Sequence, residues 1–123
     1  MEEPDHLEDT VNLSLRFANG SIGTVSYLAN GSSKLPKEYV EIHRAGQSGI
    51  LTDYREAMIY GRGKPQRKKL TSQNKGQPEM MKAYLDTLRE GKPAPIAFEE
   101  LYAVHLATFK AIESFRSRQT VTL

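Results

Sequence analysis

The feature that most constrains this chain is a change in the period of its apolar residues at Pro78. Before that proline, apolar and polar side chains alternate with a period of two, which places them on opposite faces of β-strands. After it they recur at three- and four-residue intervals, the spacing of one face of a helix. Strands first and helices last predict an α+β fold: a largely antiparallel sheet of about five or six strands, with two helices packed on one face. The same order argues against a nucleotide-binding βαβ unit, in which the two kinds of element would alternate.

The clearest strand is the first. Val11, Leu13, Leu15 and Phe17 alternate with Asn12, Ser14 and Arg16, so four apolar side chains share one face. Asn19-Gly20 follows, a pair suited to the positive φ angles of a type I′ hairpin turn, and Ile22 to Ala29 forms the next run. These two strands are expected to be antiparallel neighbours. After the loop at Asn30 to Ser33 and Pro36, residues 38–43 alternate again around Val40 and Ile42. Residues 45–49 then turn the chain into Ile50 to Tyr54, and Ala57 to Tyr60 makes another short run. Arg67 to Thr71 reads as a polar edge strand, because lysines on an edge discourage pairing with other chains.

Met81, Tyr84, Leu85 and Leu88 form the apolar stripe of the first helix, opposite Glu79, Lys82, Asp86 and Arg89. Pro78 suits a first-turn position and Gly91 the residue just past the end, so the expected limits are 78–90. A second helix begins at Glu99, with Leu101, Val104, Thr108, Ile112 and Phe115 as its stripe. Its acidic start and basic end complement the helix dipole. Val121 to Leu123 is expected to add one short strand.

Composition excludes several function classes. Charged residues are 26% and hydrophobic residues 38% of the 123 residues, the mixture of an ordinary soluble domain. No apolar stretch nears the ~20 residues of a membrane span, and the opening Met1-Glu2-Glu3 lacks the basic start of a signal peptide. With no cysteine there is neither a thiolate nucleophile nor a Cys-based zinc site. Together these features predict a cytoplasmic protein outside any membrane, with residues 1–8 as a flexible lead-in to one domain over 9–123. The net charge of +2 does not by itself imply a polyanionic partner.

Residues that carry chemistry are sparse. His6, His43 and His105 share no metal-ligand spacing, and no serine lies in a Gly-x-Ser-x-Gly turn. No G-x-G-x-x-G turn joins a strand to a helix, so no dinucleotide pyrophosphate cradle can be assigned. Arg62, Lys64, Arg67, Lys68 and Lys69 form one basic patch near Tyr54 and Tyr60. It suits a phosphate backbone and a stacked base, but no recognition helix or RNA-binding signature accompanies it, and it reads as a solvated hairpin. Tyr27, Tyr39, Tyr54 and Tyr60 are expected on the sheet surface that the helices leave open.

Several stretches together resemble the C-terminal domain of the glucose-fructose oxidoreductase, inositol dehydrogenase and rhizopine-catabolism (Gfo/Idh/MocA) family. They are Asp9-Thr10-Val11, Leu15 to Thr24, Tyr27 to Gly31, Lys75-Gly76, the helix containing Tyr84, Gly91 to Ile96, Phe98 to Leu101, Glu113-Ser114 and Val121 to Leu123. Tyr27 to Gly31 and Leu35 to Glu38 are most similar to the polysaccharide-biosynthesis branch. Gln77 and Met80 depart from the histidine and glutamate of the family pattern.

The resemblance implies a substrate-side and oligomerisation domain of an NAD(P)-dependent oxidoreductase acting on a sugar-like or nucleotide-sugar substrate. In that family the nucleotide-binding turn and the catalytic residues precede this region. It therefore implies an N-terminal nucleotide-binding domain as partner, NAD or NADP bound by the whole protein and not by these residues, and no activity in isolation. No catalytic, cofactor-binding or metal-binding residue is assigned in this chain. A homo-oligomer through the open sheet face is the further expectation. The alternative is a free-standing assembly or binding module, with a phosphate-binding hairpin at Lys68 and Lys69 behind it.

Overall fold

A computed structural model describes residues 10–123. The expected lead-in over 1–8 lies outside the described residues. The elements are β1 (Thr10–Arg16), β2 (Ile22–Leu28), β3 (Tyr39–Arg44), β4 (Gln47–Thr52), β5 (Glu56–Tyr60), β6 (Gln66–Lys69), α1 (Gln77–Glu90) and α2 (Phe98–Ser117). The α+β class with strands first and helices last is therefore present. The strands are divided, however, between a two-stranded sheet β1-β2 and a four-stranded sheet β3-β4-β5-β6, with every neighbouring pair antiparallel. The chain forms two units: the described residues up to Gly31 together with Pro93–Leu123, and Ser32–Lys92 between them.

In the first unit, Val11, Leu13 and Leu15 stand opposite Tyr27, Val25 and Gly23, so the expected apolar face forms across the hairpin. A Cβ at Gly23 would sit in ordinary contact, 3.7 Å from the Phe17 ring and 3.9 Å from Leu15. The turn differs from expectation. The Gly20 N–H donates to the Phe17 carbonyl at 2.9 Å, the Phe17 N–H to the Ser21 carbonyl at 2.9 Å, and only Gly20 has positive φ (85°). This is the three-residue loop with a glycine bulge, not a two-residue type I′ turn. Asn19 keeps ordinary backbone angles because its Oδ1 accepts from the Ser21 N–H at 3.0 Å, satisfying the turn through its side chain.

Helix α2 presents Leu106, Ala107, Lys110, Ala111 and Ser114 as its half-buried stripe. The stripe anticipated from Leu101, Val104, Ile112 and Phe115 is the more exposed neighbour. A cleft of about 200 Å³ lies between Leu13 and Leu15 of β1, Ala107 and Ala111 of α2, and Val121 of the tail. Arg118 ends the helix with a left-handed φ of 56°, and Ser114 Oγ donates to the Gln119 carbonyl at 2.6 Å. Residues 121–123 form no strand. Once the chain leaves the helix this way, no neighbouring strand pairs with it, and an unpaired segment gains no ladder bonds.

In the second unit the two-residue turn Ala45-Gly46, with φ of 48° and 76°, joins β3 to β4. It carries the pair of left-handed residues that had been expected at Asn19-Gly20. One face of the sheet bears Val40, Ile42, Leu51, Ala57 and Ile59 around Gly49; the other bears Tyr39, Glu41, His43, Ser48, Ile50, Met58 and Tyr60. On the first face Ile42 is 63% and Ile59 51% exposed, on either side of Gly49. α1 starts beside the left-handed Gly76, carries Pro78 in its first turn and stops at Gly91 (φ 64°), as its start and stop signals require. Its stripe of Met81, Tyr84, Leu85 and Leu88 is exposed, Leu88 by 62%. Among the described residues none is fully buried.

Candidate functional site

The most elaborate polar assembly is in the second unit, where β4 turns into β5. Asp53 and Tyr54 both adopt left-handed φ, 53° and 47°, although neither is glycine. They are the two central residues of the hairpin turn, which is closed by the Arg55 N–H donating to the Thr52 carbonyl at 3.0 Å. Further bonds hold the turn from both sides. The Asp53 N–H donates to the Glu38 carbonyl at 2.7 Å, and the Asn74 N–H donates to the Tyr54 carbonyl at 3.1 Å. Gln73 Nε2 donates to Asp53 Oδ1 at 2.8 Å. Asn74 then ties the loop to α1: its Nδ2 donates to Glu79 at 2.9 Å and its Oδ1 accepts from the Gly76 N–H at 2.8 Å.

Lys75 completes the assembly. Its ammonium pairs with Glu38 and lies 5.8 Å from the centre of the Tyr54 ring. That hydrogen bond holds the Glu38 carboxyl below its ordinary pKa of 4.5 and raises Lys75 above 10.5. Beside these groups runs an open cleft of about 420 Å³, bordered by Ser33, Lys34, Leu35, Pro36 and Lys37 and floored by Glu38, Asp53, Gln73 and Lys75. The cleft offers ammonium and amide donors together with carboxylate acceptors, a combination that binds hydroxyl and anionic groups.

Of these residues only Tyr54 was singled out from the sequence, beside the basic patch and on the open sheet face. They come from three separate segments, 33–38, 53–54 and 73–75, which no local pattern joins. The run read from Ile50 to Tyr54 ends earlier, because β4 stops at Thr52 and Asp53-Tyr54 form the turn into β5.

The residues that were singled out are placed as follows. His43 stands on the edge strand β3, facing away from Val40 and Ile42 as alternation requires. Its Nδ1 lies 2.8 Å from Ser48 Oγ and its Nε2 3.2 Å from Glu41, whose other oxygen accepts from Tyr39 OH at 3.3 Å. The order serine, imidazole, carboxylate is that of a nucleophile relay, but His43 is 66% exposed, without the water-excluded surroundings that strengthen such chemistry. His105 is held within α2, its Nδ1 2.8 Å from the Leu101 carbonyl. His6 lies outside the described residues. Among the described residues no group of three histidine, aspartate or glutamate side chains could hold a metal ion.

The basic patch is divided by the pleat. Arg67 and Lys69 share one face with Glu56, and Arg67 grips that carboxylate through two bonds, 2.8 and 3.1 Å. The pair lowers the pKa of Glu56 and raises that of Arg67. Lys68 points to the opposite face, across from Ala57. A polar edge strand forms as β6, over Gln66–Lys69 rather than Arg67 to Thr71, with its cations partly neutralised and split between two faces. Of the four tyrosines, Tyr39 and Tyr60 share the polar face of one sheet, Tyr54 sits in its turn, and Tyr27 belongs to the other unit.

Among the described residues, no helix is long and apolar enough to cross a membrane. Comparison of the chain with protein-family models, with curated proteins and with solved structures finds no match.

Proposed function

We propose that this chain is the substrate-side and oligomerisation domain of an NAD(P)-dependent oxidoreductase acting on a sugar-like or nucleotide-sugar substrate. A nucleotide-binding domain outside these residues would hold the cofactor and carry the hydride-transfer chemistry. The observation that carries the reading is the exposure of apolar side chains on every layer of the fold. Ile42 and Ile59 on the sheet, Met81 and Leu88 on α1, and Val104 and Phe109 on α2 all face solvent. Apolar surface on this scale marks faces that another polypeptide covers. A two-stranded hairpin with a single helix is also marginal by itself and gains from such a cover.

In this reading the Val40, Ile42 and Ile59 face is covered by a second copy across a two-fold axis, which would bury the same patch from both subunits. The family likeness in Leu15 to Thr24, Tyr27 to Gly31 and Gly91 to Leu101 supplies the chemical direction. An immunoblot of the source cells, with an antibody raised against residues 10–123, tests the proposal. A band much larger than 123 residues that co-purifies with NAD(P)-dependent sugar oxidation supports it. A band at the size of the 123-residue chain favours the free-standing assembly module.

A further inference from the structure

We propose that β3, the free edge of the four-stranded sheet, pairs with β3 of a second copy of this chain, antiparallel and with Ile42 on the two-fold axis, so that the two sheets become one. The contact runs along the edge of the sheet. It is separate from the face contact of the proposed function and does not rest on it.

The two edges of this sheet are unlike. β6 is a strand of four residues, Gln66–Lys69, preceded by Pro65 and carrying Arg67, Lys68 and Lys69. Proline, lysine and short length all discourage an edge from pairing further. β3 is six residues long, Tyr39–Arg44, contains neither proline nor lysine and is exposed along its whole length. Its backbone is ready to pair. The two-residue turn Ala45-Gly46 is closed by Arg44 and Gln47, so the alternation of an antiparallel ladder directs the backbone groups of Arg44, Ile42 and Val40 toward β4. The N–H and C=O groups of Glu41 and His43 therefore point outward, and among the described residues they meet no partner. An edge of this kind accepts another strand.

The side chains select a second β3 and fix its register. Opposite residues of an antiparallel pair share a face, so two-fold pairing of β3 with itself must centre on a residue and not between two. Glu41 on the axis would set two carboxylates directly against each other, a destabilising arrangement. Ile42 on the axis instead brings the two isoleucines together and lays Glu41 of each copy opposite His43 of the other. Those opposed pairs are also the ones whose outward backbone groups exchange ladder bonds. Within one chain the same carboxylate and imidazole already stand side by side on one face, 3.2 Å apart, so each is presented to its counterpart when the second copy is turned about the axis. On the other face Val40 falls opposite the aliphatic stem of Arg44. This self-match of carboxylate with imidazole and isoleucine with isoleucine is what commits the edge to a second copy.

The test is sedimentation equilibrium of the full chain carrying Ile59→Asp, a change on β5 that spoils the face contact and leaves β3 untouched. The expected result is that a two-chain species persists. Adding His43→Glu, which sets carboxylate against carboxylate on both sides of the axis, should weaken it about tenfold or more. Mixing that chain with one carrying Glu41→Lys in place of His43→Glu should recover pairing, because the introduced lysine then meets the introduced glutamate. Both side chains project from the face opposite Val40, Ile42 and Ile59, so a face contact would not respond in this way. Circular dichroism establishes that each variant is folded. The register is read on the otherwise unsubstituted chain, which has no cysteine: Ile42→Cys should form a disulfide between copies on oxidation, since directly opposed residues bring their Cα atoms within bridging range. The proposal is overturned if the folded Ile59→Asp chain is single at every concentration, an outcome that leaves the face contact standing where the unsubstituted chain associates. It is equally overturned if His43→Glu pairs as tightly as its parent, if the mixture pairs no better than His43→Glu alone, or if the folded Ile42→Cys chain stays unlinked.

Discussion

The two units solve the same problem with different chemistry. The second, Ser32–Lys92, is tied across its loops by polar side chains: Lys75 to Glu38, Gln73 to Asp53, Asn74 to Glu79 and Arg67 to Glu56. The first, with its hairpin β1–β2 and helix α2, gathers Leu13 and Leu15 of β1 and Ala107 and Ala111 of α2 around an apolar cleft. It relies on Val11, Leu13 and the small residues of α2. Where a core is too small to fill, hydrogen-bonded loops can fix a conformation that packing alone would leave loose. The comparison teaches that the first unit should respond to changes in apolar volume and the second to changes in charge.

The largest effect is expected from Leu13→Ala. Leu13 is half-buried against α2, so its truncation should cost about 1–2 kcal/mol, below the range for a fully buried leucine. Hydrogen exchange should show β1 and β2 losing protection while β3 to β5 keep theirs. Equal loss in both sheets would break the division into two units. Next is Gly20→Ala, which places a side chain at φ 85° and should cost roughly 1 kcal/mol in thermal unfolding. Gly49→Ala is the matched control: its φ is not in the left-handed region and a Cβ there meets nothing within 4 Å. It should change stability little.

The pH dependence should separate the units further. The Lys75 and Arg67 partners depress the folded pKa values of Glu38 and Glu56 below 4.5. Their stabilisation is therefore fully present above that ordinary value and is lost as pH falls through the lower folded values. Acid unfolding monitored by the exchange of β3–β6 amides should begin below the ordinary carboxylate range, and Glu38→Gln with Glu56→Gln should flatten it. Lys75 carries the opposite sign: its folded pKa is raised, so its contribution fades as pH rises past 10.5 toward that value. The smallest effect belongs to the edge strand. Lys68→Ala should leave the melting temperature unchanged, whereas Arg67→Ala, which removes the bidentate grip on Glu56, should lower it measurably.

Much of the local structure was legible in the sequence for identifiable reasons. Alternation at Val11, Leu13 and Leu15 marks β1, and Pro78 and Gly91 bracket α1, because those signals are local. The division into two sheets was not legible. Strand period says which face a residue takes but not which strand a segment joins, and Ile22 to Leu28 reads the same whether or not a third strand lies beside it. Ala45-Gly46 takes a two-residue turn because Gly46 adopts positive φ without steric cost, whereas Asn19 satisfies its own loop through its side chain. The cleft was hidden for a further reason: Glu38, Asp53 and Lys75 become neighbours only when the loops fold back on the β4–β5 turn, a long-range event that leaves no periodic trace.

The central claim is that the exposed apolar faces of this chain are covered in the native assembly, and the face around Ile42 and Ile59 is where it is tested most directly. Sedimentation equilibrium of the purified chain over a wide concentration range is the measurement, with Ile42→Asp, Ile59→Asp as the paired variant. The account predicts a self-associated species that the double substitution converts to single chains, with circular dichroism unchanged. Single chains at every concentration before any substitution would contradict it.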